Sequence, residues 1–373
     1  MSTPAPPPAG APAPAPAAPG PLRRSGRALS TRSVVLLCAV LLMLVVFAIG
    51  QLIRMPYVIF SPGPAQDTLG SSDGKPVVQI DGTRTYPTDG SLDFTTVSLY
   101  GGPDHPVSFW RWVRAKFDEN SVIQPEEDVF GDKTGQEIQQ ESAAEMTGSQ
   151  QAAEVVGVRA TGAKVGEQVY IGSIGEGSPA TGKLRAGDRL LQINGTDTPT
   201  LASVHAVMDK VTAGQPVRVT FSRDGKQSTV SVGTTRGEDG RALMGIVLAP
   251  RYTFPYTVKV NAGDVGGPSA GLMFSLAIYD KLTPGALTGG KEFAGTGTID
   301  VDGSVGPIGG IQQKMVGARD SGVDYFLAPA ANCGEVRGNV PDGLSVYKVS
   351  TFDDARSVVQ KVAAGQTSGL PTC

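Results

Sequence analysis

The chain has 373 residues, 40% of them hydrophobic and 18% charged, with a formal net charge of −3. That length exceeds what a single hydrophobic core usually organises, so more than one domain is expected. The near-balanced charge excludes a general affinity for nucleic acid, and the apolar content excludes disorder of the whole chain. Function must therefore reside in local sites.

Met1 to Leu22 holds nine prolines and seven alanines, a composition that buries little apolar surface and predicts a disordered tail over residues 1–33. Arg23, Arg24, Arg27 and Arg32 follow with no acidic residue before them, and then an uncharged apolar run extends from Val34 to Ile53. A run of about twenty such residues crosses a bilayer. The arginines on its N-terminal flank, against Arg54 alone beyond it, predict a single-pass cell-membrane anchor with the N-terminus in the cytoplasm and everything after about residue 55 outside. A cleaved signal peptide, with the small residues Ala48 and Gly50 near its end, is the alternative, although the apolar run is long for that role.

Beyond the anchor, residues 54–156 read as an extracytoplasmic α/β segment. Tyr57 to Gly70 predicts strand and turn, broken by Pro62, Gly63 and Pro64. Val77–Ile80 and Leu92–Leu99 read as strands, and Trp110–Phe117 and Gln136–Val156 as helices. No chemistry is apparent in this segment.

Residues 157–240 change to short strands separated by glycine turns, with one helix near Leu201–Val211. The run VYIGSIGEGSPATGKLRAGDRLLQING, Val169 to Gly195, resembles a PDZ domain of the type attached to bacterial proteases. PDZ domains take extended peptides as an added strand. Here the resemblance implies an edge at Val169–Ile174, with Val169, Tyr170, Ile171 and Gly172 on the peptide and Lys164–Glu167 as carboxylate loop. A spacer that binds nothing is the bland alternative. Gly177 and Gly182-Lys183 mimic a phosphate loop, but Leu184 stands where a magnesium-binding hydroxyl is needed, so no nucleotide is expected.

In residues 241–373, the strand Tyr256–Asn261 leads into AGDVGGPSAGLMFSLAIYDKL, where Gly266, Gly267 and Pro268 introduce a buried apolar helix whose first turn holds Ser269. Helix capping alone explains a serine at such a place. Glycine-rich strands around an Asp302-Gly303 turn then precede IQQKMVGARDSG, in which Ile311, Lys314, Met315 and Ala318 share one helix face. A snorkelling amine is the ordinary fate of a lysine there, but desolvation lowers its pKa and makes it a usable base.

GGPSAG and GxVGPIGGIQQK, with Ser269 and Lys314 spaced 45 apart, resemble the proteolytic domain of the Lon family. The resemblance implies Ser269 as nucleophile, Lys314 as general base and Thr296 as the residue orienting the amine. Many family members carry an acidic residue three places before the serine; Gly266 stands there, with Asp264 two places upstream. Anchor, PDZ domain and Lon-type domain together resemble the bacterial Lon-like PDZ proteins, a multidomain α+β chain without an ATPase module. Implied are ATP-independent endoproteolysis of unfolded or exposed membrane or secreted polypeptides, no cofactor, and assembly as a homo-oligomer. A non-catalytic membrane-tethered PDZ adaptor is the alternative, and the domain order stays open in one respect: residues 71–156 either stand apart or belong to the proteolytic domain, with the PDZ domain as an insertion. His105 and His205 are the only histidines for a Ser-His-Asp triad, and no cluster has metal-ligand spacing. Outside the anchor, Cys333 and Cys373 either form a disulfide or remain a buried and a terminal thiol.

Overall fold

The computed structural model describes residues 30–72, 74–263 and 265–373; residues 1–29 of the predicted tail, with Arg23, Arg24 and Arg27, lie outside them, whereas Thr31, Arg32 and Ser33 are helical, which corrects the tail boundary at residue 33. The chain divides into two compact units, Met1–Ile53 and Arg54–Cys373. The first contains helix α1 (Thr31–Leu52), capped by Ser30, whose hydroxyl accepts from the Ser33 N–H. Its most apolar 18-residue stretch has a mean hydropathy of 3.0. Length and apolarity qualify it as a membrane span or as the core of a signal sequence.

The second unit opens with β1 (Arg54–Met55), β2 (Tyr57–Asp67), β3 (Ser91–Tyr100) and β4 (Val107–Ser108), then helix α2 (Phe109–Lys116), strand β5 (Val122–Pro125) and the long helix α3 (Gly135–Ala160). A capping box starts α3: the Thr134 hydroxyl accepts from the Glu137 N–H, and the Glu137 carboxylate accepts from the Thr134 N–H. Strands β6 (Gly166–Ile174) and β7 (Arg189–Ile193), helix α4 (Leu201–Met208), and strands β8 (Val217–Arg223), β9 (Lys226–Val232) and β10 (Ile246–Thr253) follow. The chain closes with α5 (Gly271–Leu282), β11 (Glu292–Gly295), α6 (Ile311–Asp320), β12 (Tyr325–Pro329), β13 (Ser345–Val349) and α7 (Phe352–Ala363).

Two six-stranded sheets organise these elements. The first runs β13-β12-β11-β3-β2-β5, parallel from β13 to β3 and antiparallel beyond. The period of two places Leu92, Phe94, Phe293, Leu327 and Val349 on one face, packed with α3, α5 and α7. Ala294, Phe326, Ala328 and Val346 face the other way, against Ile311, Met315 and Ala318 of α6. The result is a three-layer α/β/α stack. Its sheet draws β2, β3 and β5 from residues 54–156, the segment read as separate, and β11 to β13 from the C-terminal part. The boundary at residue 156 is thereby corrected in favour of the alternative with an inserted domain, since parallel neighbours far apart in sequence leave no local pattern to choose between the two.

The second sheet runs β9-β8-β7-β6-β10 around its own core of Val169, Ile171, Leu190, Ile193, Val219 and Phe221, with a short sixth strand paired on β7. It is inserted between the two parts of the stack. Strand β10 lies beyond residue 240, so this sheet runs past the predicted domain end. Asp188, 1% exposed, accepts two bonds of 2.7 Å from the Arg223 guanidinium, tying β8 to the Gly187-Asp188 turn.

Cys333 and Cys373 form a disulfide, and the Pro371 carbonyl accepts from the Lys348 N–H, so the tail is fastened to β13. The two cysteines are 40 residues apart. Cys373→Ser is expected to cost about 4 kcal/mol on the loop-entropy account. Urea unfolding of the oxidised proteins checks this, and coincident midpoints would show that the tail is held by non-covalent contacts alone.

Candidate active site

Ser269 stands just ahead of α5. Gly271 is the first helical residue and Ala270 the N-cap, with no side-chain capping bond. The serine is therefore one step outside the predicted first turn, and its hydroxyl is not spent on capping. The backbone around it is fixed elsewhere. The Ser149 hydroxyl of α3 donates to the Pro268 carbonyl at 2.8 Å. The Ser269 carbonyl accepts from the Gly297 N–H at 2.8 Å and from the Thr296 hydroxyl at 3.0 Å.

Lys314 comes from α6, whose N-cap Gly310 is in the left-handed region, φ 70°. A side chain at Gly310 would also meet Val97 at 2.8 Å, so this turn requires glycine. Gly317, one turn after Lys314, lies so close to Gly63 of β2 that a Cβ would fall 2.2 Å from the Gly63 carbonyl oxygen. That approach seats α6 on the sheet and directs the lysine inward. Lys314 is 3% exposed, and burial pulls its amine down from the ordinary lysine range to about 8.

The amine meets two hydroxyls. Nζ lies 2.7 Å from Ser269 Oγ and 3.0 Å from Thr296 Oγ1. Thr296 has one proton, which it gives to the Ser269 carbonyl, so it serves Lys314 as an acceptor. Thr296→Val keeps the shape but removes both bonds. A fall in kcat of roughly 10- to 100-fold is expected, with little change in KM; steady-state cleavage checks this, and an unchanged kcat would make the threonine mere packing.

Ser269 and Lys314 line a groove of about 420 Å³ whose other wall is Pro64 and Gln66 of β2 and Thr95, Thr96 and Val97 of β3. Sequence reasoning found no chemistry in those strands. Their contribution is a wall of sheet beside the serine, which no residue type announces. His105 is exposed in a loop, His205 is exposed on α4, and neither lines this groove. Asp264 lies outside the described residues. Leu184, at the place of the missing magnesium ligand, is 1% exposed, and the chain after Lys183 continues through turns into β7.

The predicted peptide edge requires correction. Val169, Tyr170, Ile171 and Gly172 lie in β6, which β7 flanks on one side and β10 on the other, with Thr253 opposite Gly166 and Ile246 opposite Ile174. The outer strands of this sheet are β9 and β10, and the one that flanks β6 is β10. A cleft of about 820 Å³ runs beside it, lined by Pro250 and Tyr252 of β10 and by Leu201, Ala202 and His205 of α4. Pro268 and residues 298–302 of the catalytic layer close its far side. A sequence signal existed: proline inside the strand IVLAPRYT marks an edge strand.

Fold and site thus define two modules, an α/β/α stack that carries the Ser269 and Lys314 groove and a β-rich domain inserted in it. Residues 257–362 match the family described as Lon protease (S16) C-terminal proteolytic domain, and residues 145–234 match the PDZ domain family. The chain carries a Lon proteolytic domain and a PDZ domain. Among curated relatives, the Lon protease of Azospirillum brasilense is 40% identical over 100 residues, 26% of this chain and 12% of that protein. The Lon protease of Mycoplasma mycoides is 33% identical over 107 residues, 28% and 13% respectively. The matches thus span about an eighth of these relatives. The solved PDZ domain of an SdrC-like protein from Listeria monocytogenes is 23% identical, covering 21% of this chain and 85% of that one, with a TM-score of 0.21. The Lon relationship supports a serine peptidase.

Proposed function

We propose that this chain is a membrane-anchored, ATP-independent serine endopeptidase in which Ser269 is the nucleophile and Lys314 the general base. The observation that carries the reading is the 2.7 Å approach of a desolvated lysine amine to a serine hydroxyl on a groove. In its neutral form Lys314 takes the Ser269 proton as Oγ attacks the scissile carbonyl, and then gives that proton to the departing amine. Water, deprotonated by the same amine, releases the acyl group and restores the serine. Thr296 holds the amine and the Ser269 carbonyl in register.

The width of the groove and the open β10 edge favour extended, unfolded polypeptide. The cleft beside β10 is the place where a substrate segment adds as a strand, within reach of the catalytic layer. Ala202→Trp fills that cleft from α4. It is expected to raise KM for a protein substrate about 10-fold while leaving cleavage of a short peptide unchanged; equal effects on both substrates would separate the cleft from recognition.

Arg32 and the apolar α1 support an uncleaved anchor with the body outside the cytoplasm, where a disulfide is stable. Nucleotide independence is tested by digesting a disordered protein with the full chain, with and without ATP and magnesium. Equal rates are the expected result, and a requirement for ATP would overturn this part of the proposal.

A further inference from the structure

Helix α2, FWRWVRAK, plays no part in the chemistry above. Its inner face is satisfied: Trp112 and Ala115 pack with Ile59 and Val107. Its exposed charges are all cationic: Arg111 and Arg114 are neighbours one turn apart, Lys116 lies on the other flank with its amine 5.3 Å from the Trp112 ring centre, and the helix carries no acidic residue. Apolar surface borders these charges: Phe117 is 86% exposed, and Leu99 and Tyr100 are 44% and 40% exposed. Arg111 stacks over the Tyr100 ring at 4.3 Å. Asp118, next in sequence, is engaged in its own turn by the Asn120 N–H and the Ser121 hydroxyl. Cations on an aromatic and aliphatic border suit the interface between phospholipid headgroups and acyl chains.

Connectivity identifies the lipid. Arg54 follows Ile53 directly, and Arg54 and Met55 pair with Ser108 and Val107, Ser108 being the N-cap of α2. Ser108 is thus one cross-strand spacing from Arg54, the first residue after the apolar run. We infer that α2 is a membrane-surface contact, with Arg111 and Arg114 on one flank and Lys116 on the other seated on anionic phospholipid headgroups of the leaflet from which the body emerges. This inference rests on α1 being an uncleaved span. The contact would hold the peptidase close to the bilayer instead of letting it swing on a single bond, so that segments leaving the membrane reach its grooves first.

The chain contains two tryptophans, Trp110 and Trp112, both on α2, so its intrinsic fluorescence reports on this helix. The full chain is reconstituted into phosphatidylcholine vesicles with or without phosphatidylglycerol, each prepared with plain or dibrominated acyl chains, and insertion is scored separately by flotation at alkaline pH. The expected result is about a twofold loss of tryptophan emission with brominated chains in the anionic vesicles. The loss should be much smaller in the neutral ones and absent from an Arg111→Glu, Arg114→Glu, Lys116→Glu variant that still floats. A wild-type chain that floats but is not quenched overturns this inference alone, as does quenching that survives the charge reversal or is equal in neutral vesicles. A chain that does not float overturns the anchor and the surface contact together.

Discussion

Ser269→Ala is expected to lower kcat on a disordered polypeptide by roughly 10⁴-fold or more, with KM and the unfolding midpoint nearly unchanged. The size follows from the lack of a substitute. Of the two hydroxyls that Lys314 meets, Thr296 is fully buried and commits its proton to the Ser269 carbonyl, whereas Ser269 opens onto the groove. Removing Oγ therefore leaves the amine without a nucleophile to deprotonate. Because Ala270 is the N-cap and Ser269 makes no capping bond, the substitution should cost little in helix stability. Gel-based digestion and thermal unfolding of the two proteins check both halves, and full activity in the alanine variant would move the chemistry away from this groove.

Lys314→Met separates catalysis from stability. Activity should fall about as far as in Ser269→Ala, because the two residues act as one unit. Stability at neutral pH should rise. The folded amine holds its proton with a pKa of about 8, below the ordinary value of 10.5, so between those values the unfolded chain binds more protons and stability increases with pH. Below about pH 8 the wild type carries the full cost of the buried charge, an upper limit of about 3 kcal/mol. The methionine variant escapes that cost, so its advantage in urea unfolding should be largest at neutral pH and shrink towards pH 10.5. The wild-type kcat/KM should rise with pH around a midpoint near 8, where the amine loses its proton. A lysine variant less stable than wild type at neutral pH, or a rate that falls on going from about pH 7 to about pH 9, would contradict a desolvated general base.

What was legible in the sequence follows the range of the interactions involved. The apolar run of α1 and the helical stripe of Ile311, Lys314, Met315 and Ala318 are local patterns, and the structure repeats them. The approach of Ser269 to Lys314 was anticipated through the resemblance of two glycine-rich segments, since 45 residues of chain specify no distance. The β2 and β3 wall of the groove was invisible, because it consists of strand surface brought beside α6 by pairing across some 200 residues, as in the Thr95 to Gly295 bond. The PDZ edge was misplaced because the recognisable motif ends near Gly195, while β10, which covers β6, arrives some fifty residues later.

The most direct test of the Ser269/Lys314 assignment is intact-mass and peptide mass spectrometry of the chain after treatment with a serine-acylating β-lactone. One stoichiometric adduct is expected on Ser269 in the wild type, and none in Lys314→Met under the same conditions. An adduct on another residue, or undiminished acylation of Ser269 without the lysine, would contradict the account.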